Sequence, residues 1–261
     1  MKKIIYLFIL LLSISQVYGN DDLLEITNDL NYSTNETQSV ESTTPMNSED
    51  PFENYNRAIF NFNSGFNDVI GQPIANTYNK LPTPITTGIS NFFKNLGEPL
   101  NVVNSLLQGK IEVALSSFMR FTLNSTFGLF GLIDIATEAG LNYQKEDLGQ
   151  TFYTWGLWQE SSFIMLPFVG PYTTRELLGV SIDSTYNPTY HYVIEADDQE
   201  KILMFVGEKF VDYTKVAHLS DEIKKQPDPY IFMRESYLQH RTNLIYDGNP
   251  PEVEMDDFDF E

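Results

Sequence analysis

The residues able to do chemistry are few and scattered. His191, His218 and His240 are isolated in sequence, and none has a second potential ligand at the spacing of a helical metal motif such as HExxH. The 261 residues contain no cysteine, which excludes thiol nucleophiles, Fe–S clusters and thiolate zinc sites. No GxSxG elbow, Walker-type GxxxxGK loop or GxGxxG turn occurs, so hydrolase, nucleotide and dinucleotide readings lack their local signatures. The sequence therefore predicts no catalytic set, no metal and no cofactor.

What the chain does concentrate is apolar surface beside a few polar groups. Residues 118–136 read FMRFTLNSTFGLFGLIDIA, and within them Phe127, Gly128, Leu129, Phe130, Gly131, Leu132 and Ile133 carry no polar side chain. Glycine inside a helix costs roughly 1 kcal/mol against alanine and marks a bend or a close approach. Residues 113–133 are long enough to cross about 30 Å of hydrocarbon as one helix. Arg120, Asn124 and five Ser/Thr interrupt that run, however, and polar groups at bilayer depth are costly. The pattern predicts a helix with a polar stripe that turns at the glycines and dips an apolar tip, residues 127–133, into lipid. Burial of the same run in a protein core is the competing reading.

The elements that must hold this stretch come from a body of ordinary composition between acidic ends. Residues 20–50 carry eight acids and residues 247–261 carry seven, both without Lys or Arg, so they hold 15 of the net 20 negative charges. Such segments bury too little apolar surface to offset chain entropy, and disorder is expected at 20–49 and 247–261. With no basic patch to neutralise phosphates, nucleic acid is not an expected partner. Lys2 and Lys3, an apolar run over residues 4–12, and Val17 and Gly19 before Asn20 predict a signal peptide over residues 1–19.

One domain is expected over residues 50–246. Asp50-Pro51 with Glu53 reads as a capped helix start, and Phe52, Tyr55, Ile59, Phe62, Phe66 and Val69 follow at helical spacing as a core-facing stripe, with asparagines on the remaining surface. Gly71 and Pro73 end that helix. A second, carrying Ile85, Ile89, Phe92 and Leu96, is closed by Gly97, and Glu98-Pro99 opens a third. The run at residues 163–167 is too short for a helix and is read as extended. Asp197 and Asp198 favour a later helix start, and Asp228-Pro229 begins the last helix, with Tyr230, Met233, Tyr237 and Leu244 as its buried face and Arg234 and Arg241 on a neighbouring one.

Together these residues carry a resemblance. Asp50-Pro51-Phe52-Glu53 with Asn56-Arg57 and Phe60-Asn61-Phe62-Asn63, then Ser90-Asn91-Phe92-Phe93, Glu98-Pro99 and Leu107-Gln108-Gly109, resemble the VacJ or MlaA family of outer-membrane phospholipid-transport proteins. Arg120-Phe121, Leu123-Asn124, Asp134, Glu146-Asp147, Gly149-Gln150, Leu166-Pro167-Phe168, Arg175, and Asp228-Pro229-Tyr230 with Arg234 and Arg241 continue it in order over residues 50–241. Singly these motifs are weak, and together they are specific.

The resemblance implies an all-α, ring-like domain lying in or on the outer membrane at its periplasmic side, with an amphipathic channel. It implies removal of phospholipid from the outer leaflet without enzymatic chemistry, and delivery to a periplasmic lipid-carrier protein, with a trimeric porin as a further partner. On that reading Arg120, Asn124, Asp134 and Arg175 are the polar channel-lining candidates, while residues 127–133 face acyl chains. The family is usually lipoprotein, with a cysteine at the signal-peptide boundary. Here Gly19-Asn20 stands in its place, so an unlipidated protein is expected. A reading from another class is an exported envelope or host-interaction protein whose aromatic surfaces bind proteins.

Overall fold

A computed structural model describes residues 50–251, which fall in one compact unit, Met46–Glu261. The expected signal peptide, the acidic linker and most of the acidic tail lie outside the described residues.

The chain is mainly helical. Helix α1 (Glu53–Phe66) passes through a widened turn at Asn67–Gly71 into α2 (Gln72–Tyr78), so Gly71 and Pro73 do not end the helical path as expected. The widened turn comes just before Pro73, whose missing N–H would leave a gap in a regular ladder. Asp50 does not cap α1. Its buried carboxylate accepts from Asn56 and from the Tyr230 hydroxyl, and it pairs with Arg234 at 3.3 Å.

Helix α3 (Thr83–Leu107) is a single helix of 25 residues that runs straight through Gly97 and Pro99, where the sequence predicts a break. Packing overrides local propensity here. Asn95, Glu98, Asn101, Asn104 and Ser105, spaced by three and four, form a buried polar edge. That edge meets α4 (Ile111–Thr126), which follows a tight turn at Gly109 with φ 77° and buries Ala114, Ser117, Arg120 and Asn124.

After the bend come two short helices, α5 (Ile135–Glu138) and α6 (Leu148–Thr154), capped by Asp134 and Asp147. The run read as extended is strand β1 (Phe163–Leu166), which pairs antiparallel with β2 (Gly170–Thr173) from Phe163 opposite Thr173 to Leu166 opposite Gly170. This hairpin is the one β element among the described residues. Thr173 then caps α7 (Thr174–Thr185), and a widened turn at Thr189–Val193 leads on. Asp197 and Glu200 form a capping box on α8 (Asp198–Val216). A short 3-10 turn and α9 (Ser220–Lys224) precede α10 (Pro229–Ile245), where the Asp228 side chain accepts from the N–H groups of Tyr230 and Ile231.

The interior is unusual in what it buries. One apolar cluster joins Leu96, Tyr190 and Ala196, and another joins Phe163, Met165 and Tyr230, but among the described residues the buried polar side chains outnumber the buried apolar ones. Helix α1 shows the inversion. Asn56 is fully buried, while Phe52, Tyr55, Phe62 and Val69 of its expected core stripe are exposed. Asn56 spans the hairpin edge, donating to the Phe163 carbonyl at 3.2 Å and accepting from the Met165 N–H at 2.8 Å, and Asn63 repeats this with Leu166 and Phe168. On α10 the buried face is Tyr230, Arg234 and Arg241, so the two arginines share the core face instead of flanking it.

Candidate functional site

The bend follows directly from the end of α4. Leu129, Phe130 and Gly131 have φ of 52°, 59° and 92°, three successive left-handed residues, two of which pay a steric penalty of about 1–2 kcal/mol each. Backbone bonds close the loop on itself: the Gly131 N–H donates to the Asn124 carbonyl at 2.8 Å and the Ile133 N–H to the Gly128 carbonyl at 2.9 Å. The glycines form its inner side. A Cβ on Gly128 would lie 2.1 Å from the Ile133 carbonyl oxygen, and one on Gly131 would lie 2.5 Å from the Asn95 Cβ. With backbone polar groups turned inward, Phe127, Leu129, Phe130, Leu132 and Ile133 project outward, and Phe130 is 78% exposed.

A buried ionic knot grips both ends of this loop. Arg120 is 1% exposed and donates from Nε to Glu98 at 2.5 Å, from Nη2 to Asp134 at 3.1 Å, and from Nη1 to the Thr137 hydroxyl at 2.9 Å and to the Leu141 carbonyl. Asn124, before the bend, donates to Asp134, after it, at 3.0 Å and accepts from the Ala136 N–H at 2.9 Å. Glu98 also accepts from Asn101, and Asn95 donates to Ser125. Burial alone would raise the Asp134 carboxyl, but bonds from Thr137, Arg120 and Asn124 overcome it and hold the pKa at about 2. Burial likewise disfavours the Arg120 charge, and Glu98 and Asp134 more than compensate.

Three of the four polar candidates thus come together. Arg120 and Asn124 are enclosed in protein and brace the bend, while Asp134 keeps some exposure. Arg175 lies apart, donating to the Trp158 and Gln159 carbonyls at 2.7 and 2.9 Å below the Tyr153 ring, and burial followed by the nearby Arg241 lowers its pKa. In sequence Glu98 reads as the opening of a new helix, which hides it as a partner of Arg120. Its helical spacing to Asn101 and Ser105 is the signal that places it on a buried polar edge. Two further knots, Arg241 with Asp147 and Arg234 with Asp50, tie α10 to the rest.

The outward side of α4 completes the site. Ile111, Leu115, Phe118 and Met119 are exposed opposite the buried Ala114, Ser117, Arg120 and Asn124, so this helix turns its polar face in and its apolar face out. Val103, Leu106 and Leu107 of α3 are exposed as well. Exposed apolar patches of this kind mark lipid or protein contact. Among the described residues no helix is long and apolar enough to cross a membrane, and no group of three or more His, Asp or Glu could hold a metal ion.

Comparison with known proteins gives a consistent result. The profile of the family described as MlaA lipoprotein matches residues 48–244. The chain is 31% identical over 206 residues to the intermembrane phospholipid transport system lipoprotein MlaA of Haemophilus influenzae, covering 76% of this chain and 80% of that protein. An uncharacterized protein of Rickettsia prowazekii is 30% identical over 247 residues, covering 92% of this chain and 93% of its own. A solved structure from work on the maintenance of bacterial outer membrane lipid asymmetry superposes with a TM-score of 0.66 at 30% identity, covering 77% of this chain and 99% of that one.

Proposed function

This chain belongs to the MlaA family, and from that membership we propose that it transports phospholipid in the bacterial outer membrane, removing it from the outer leaflet and so sustaining lipid asymmetry. The observation that supports this most is the inversion of α4 and its bend, with polar groups buried and aromatic and aliphatic side chains exposed. In water such a surface would be an aggregation liability; against acyl chains it is the stable arrangement.

The protein rests at the periplasmic side of the membrane on this apolar surface. The ring-like body encloses an amphipathic path, the bend at residues 127–133 meets acyl chains beside it, and the Arg120, Asn124 and Asp134 knot keeps the bend in shape. Released lipid passes to a periplasmic carrier protein, and a trimeric porin shares the membrane site. No bond in the lipid is made or broken. Outer-leaflet phospholipid measured in cells lacking this protein, with and without complementation, tests the reading. A rise reversed by complementation supports it, and an unchanged outer leaflet contradicts it.

A further inference from the structure

A polar cleft of about 280 Å³ lies between the end of α2, the first half of α3 and the end of α8, and its lining includes Tyr78, Thr87, Ser90, Asn91, Lys94 and Lys215. Two features set it apart in a chain of net charge −20: its lining holds two lysines, and it holds no carboxylate. Thr87, Ser90 and Lys94 are spaced i, i+3 and i+7, which puts a hydroxyl, a hydroxyl and an ammonium along one face of α3. None of these three side chains donates a hydrogen bond within the described residues. Lys94 also has no ion-pair partner there; its ammonium stands 5.3 Å from the centre of the Tyr143 ring. Lys215, across the cleft, meets Asp212 at 2.7 Å in an exposed pair on its own helix, a contact that is weak in water and leaves two of its protons free. Tyr78 adds a hydroxyl that is buried without a partner among the described residues.

The cleft adjoins the bend. Asn91 donates to the Leu132 carbonyl at 3.4 Å, and Gly88 of the same helix stretch packs against Leu132. A molecule with its acyl chains on residues 127–133 therefore has this donor cluster beside it at the polar end.

We infer that the cleft formed by Thr87, Ser90, Lys94 and Lys215 binds a phosphate group, carried by a glycerophospholipid headgroup or free in solution. Cationic and hydroxyl donors along this lining, where only Lys215 already meets a carboxylate, that of Asp212, match the oxygens of a phosphate, and a phosphodiester uses them without needing a metal. The lipid form of this inference rests on the transport reading above.

Calorimetric titration of the full-length protein in non-ionic detergent separates the sources. The probes are dihexanoyl phosphatidylglycerol, dihexanoylglycerol, which lacks the phosphate, and inorganic phosphate. The variants are the double substitutions Lys94→Gln with Lys215→Gln, and Lys94→Arg with Lys215→Arg. The glutamine pair is expected to weaken phosphatidylglycerol at least about tenfold, through loss of charge-assisted bonds, while dihexanoylglycerol is unaffected and the arginine pair retains binding. Lysine-dependent binding of inorganic phosphate without phosphatidylglycerol would assign the cleft to free phosphate. Equal affinity of wild type and the glutamine pair for both phosphate probes would overturn the inference and leave the transport reading standing. Failure of the wild type to bind either lipid would count against that reading too.

Discussion

At the scale of single residues, the bend depends on groups that cannot be exchanged for near relatives. Replacing Gly128 by alanine drives a methyl group into two backbone carbonyls, and neither is the end of a flexible side chain. Gly128→Ala is expected to lose more than about 2 kcal/mol in chemical denaturation. Arg120→Met leaves Glu98 and Asp134 without their cation and is expected to cost about 3–5 kcal/mol, measured the same way. Two carboxylates pull the pH dependence in opposite directions. Asp134, at about 2 when folded and higher when unfolded, contributes stability that is present above the unfolded value and lost as pH falls through about 2. Asp183, pushed up to about 6 by burial, favours folding when protonated, so its contribution fades as pH rises from the unfolded value through about 6. Denaturation midpoints for Asp183→Asn at pH 4, 5, 6 and 7 should show that falling limb flattened; an unchanged slope would mean that Asp183 titrates normally. These partnerships were half legible. Arg120, Asn124 and Asp134 stand out as polar residues in apolar surroundings, but Glu98 and Thr137 carry no such contrast.

At the scale of elements, the periods were legible in sequence and their sense was not. The apolar stripe of α1 and the polar stripe of α4 occur at the spacings expected, yet Asn56, Asn63 and Arg120 turn inward while Phe62, Phe118 and Leu115 turn outward. Periodicity arguments assume water outside, and where the surroundings are apolar the same spacing describes an inverted helix. The continuity of α3 through Gly97 and Pro99 was hidden for a different reason. It is held by Glu98 and Asn101, whose partners lie on α4 and in residues 141–147. Capping chemistry was more transparent, since Asp197 with Glu200 and Asp228 with Pro229 act locally. The inverted face makes its own prediction. Phe118→Glu alters an exposed side chain and should leave the denaturation midpoint within about 0.5 kcal/mol of wild type, while vesicle co-flotation drops severalfold. A large loss of stability with unaltered flotation would show that this face packs on protein.

At the scale of the whole molecule, the proposed function predicts a protein held at the outer membrane by the exposed apolar faces of its helices. Cleavage after Gly19 is expected to yield an unacylated chain that fractionates with the outer membrane, checked by the mass of the mature N-terminus. A mature chain free in the periplasm would show that the exposed apolar surface does not retain it. The most direct measurement is outer-leaflet phospholipid in cells whose sole copy carries Phe130→Asp, quantified together with the abundance of the protein. A carboxylate on this 78% exposed side chain costs little in water and several kcal/mol against hydrocarbon. Normal abundance with outer-leaflet phospholipid raised to the level of cells lacking the protein is the expected result. Normal abundance with an outer leaflet as clean as wild type would contradict a lipid-contacting bend.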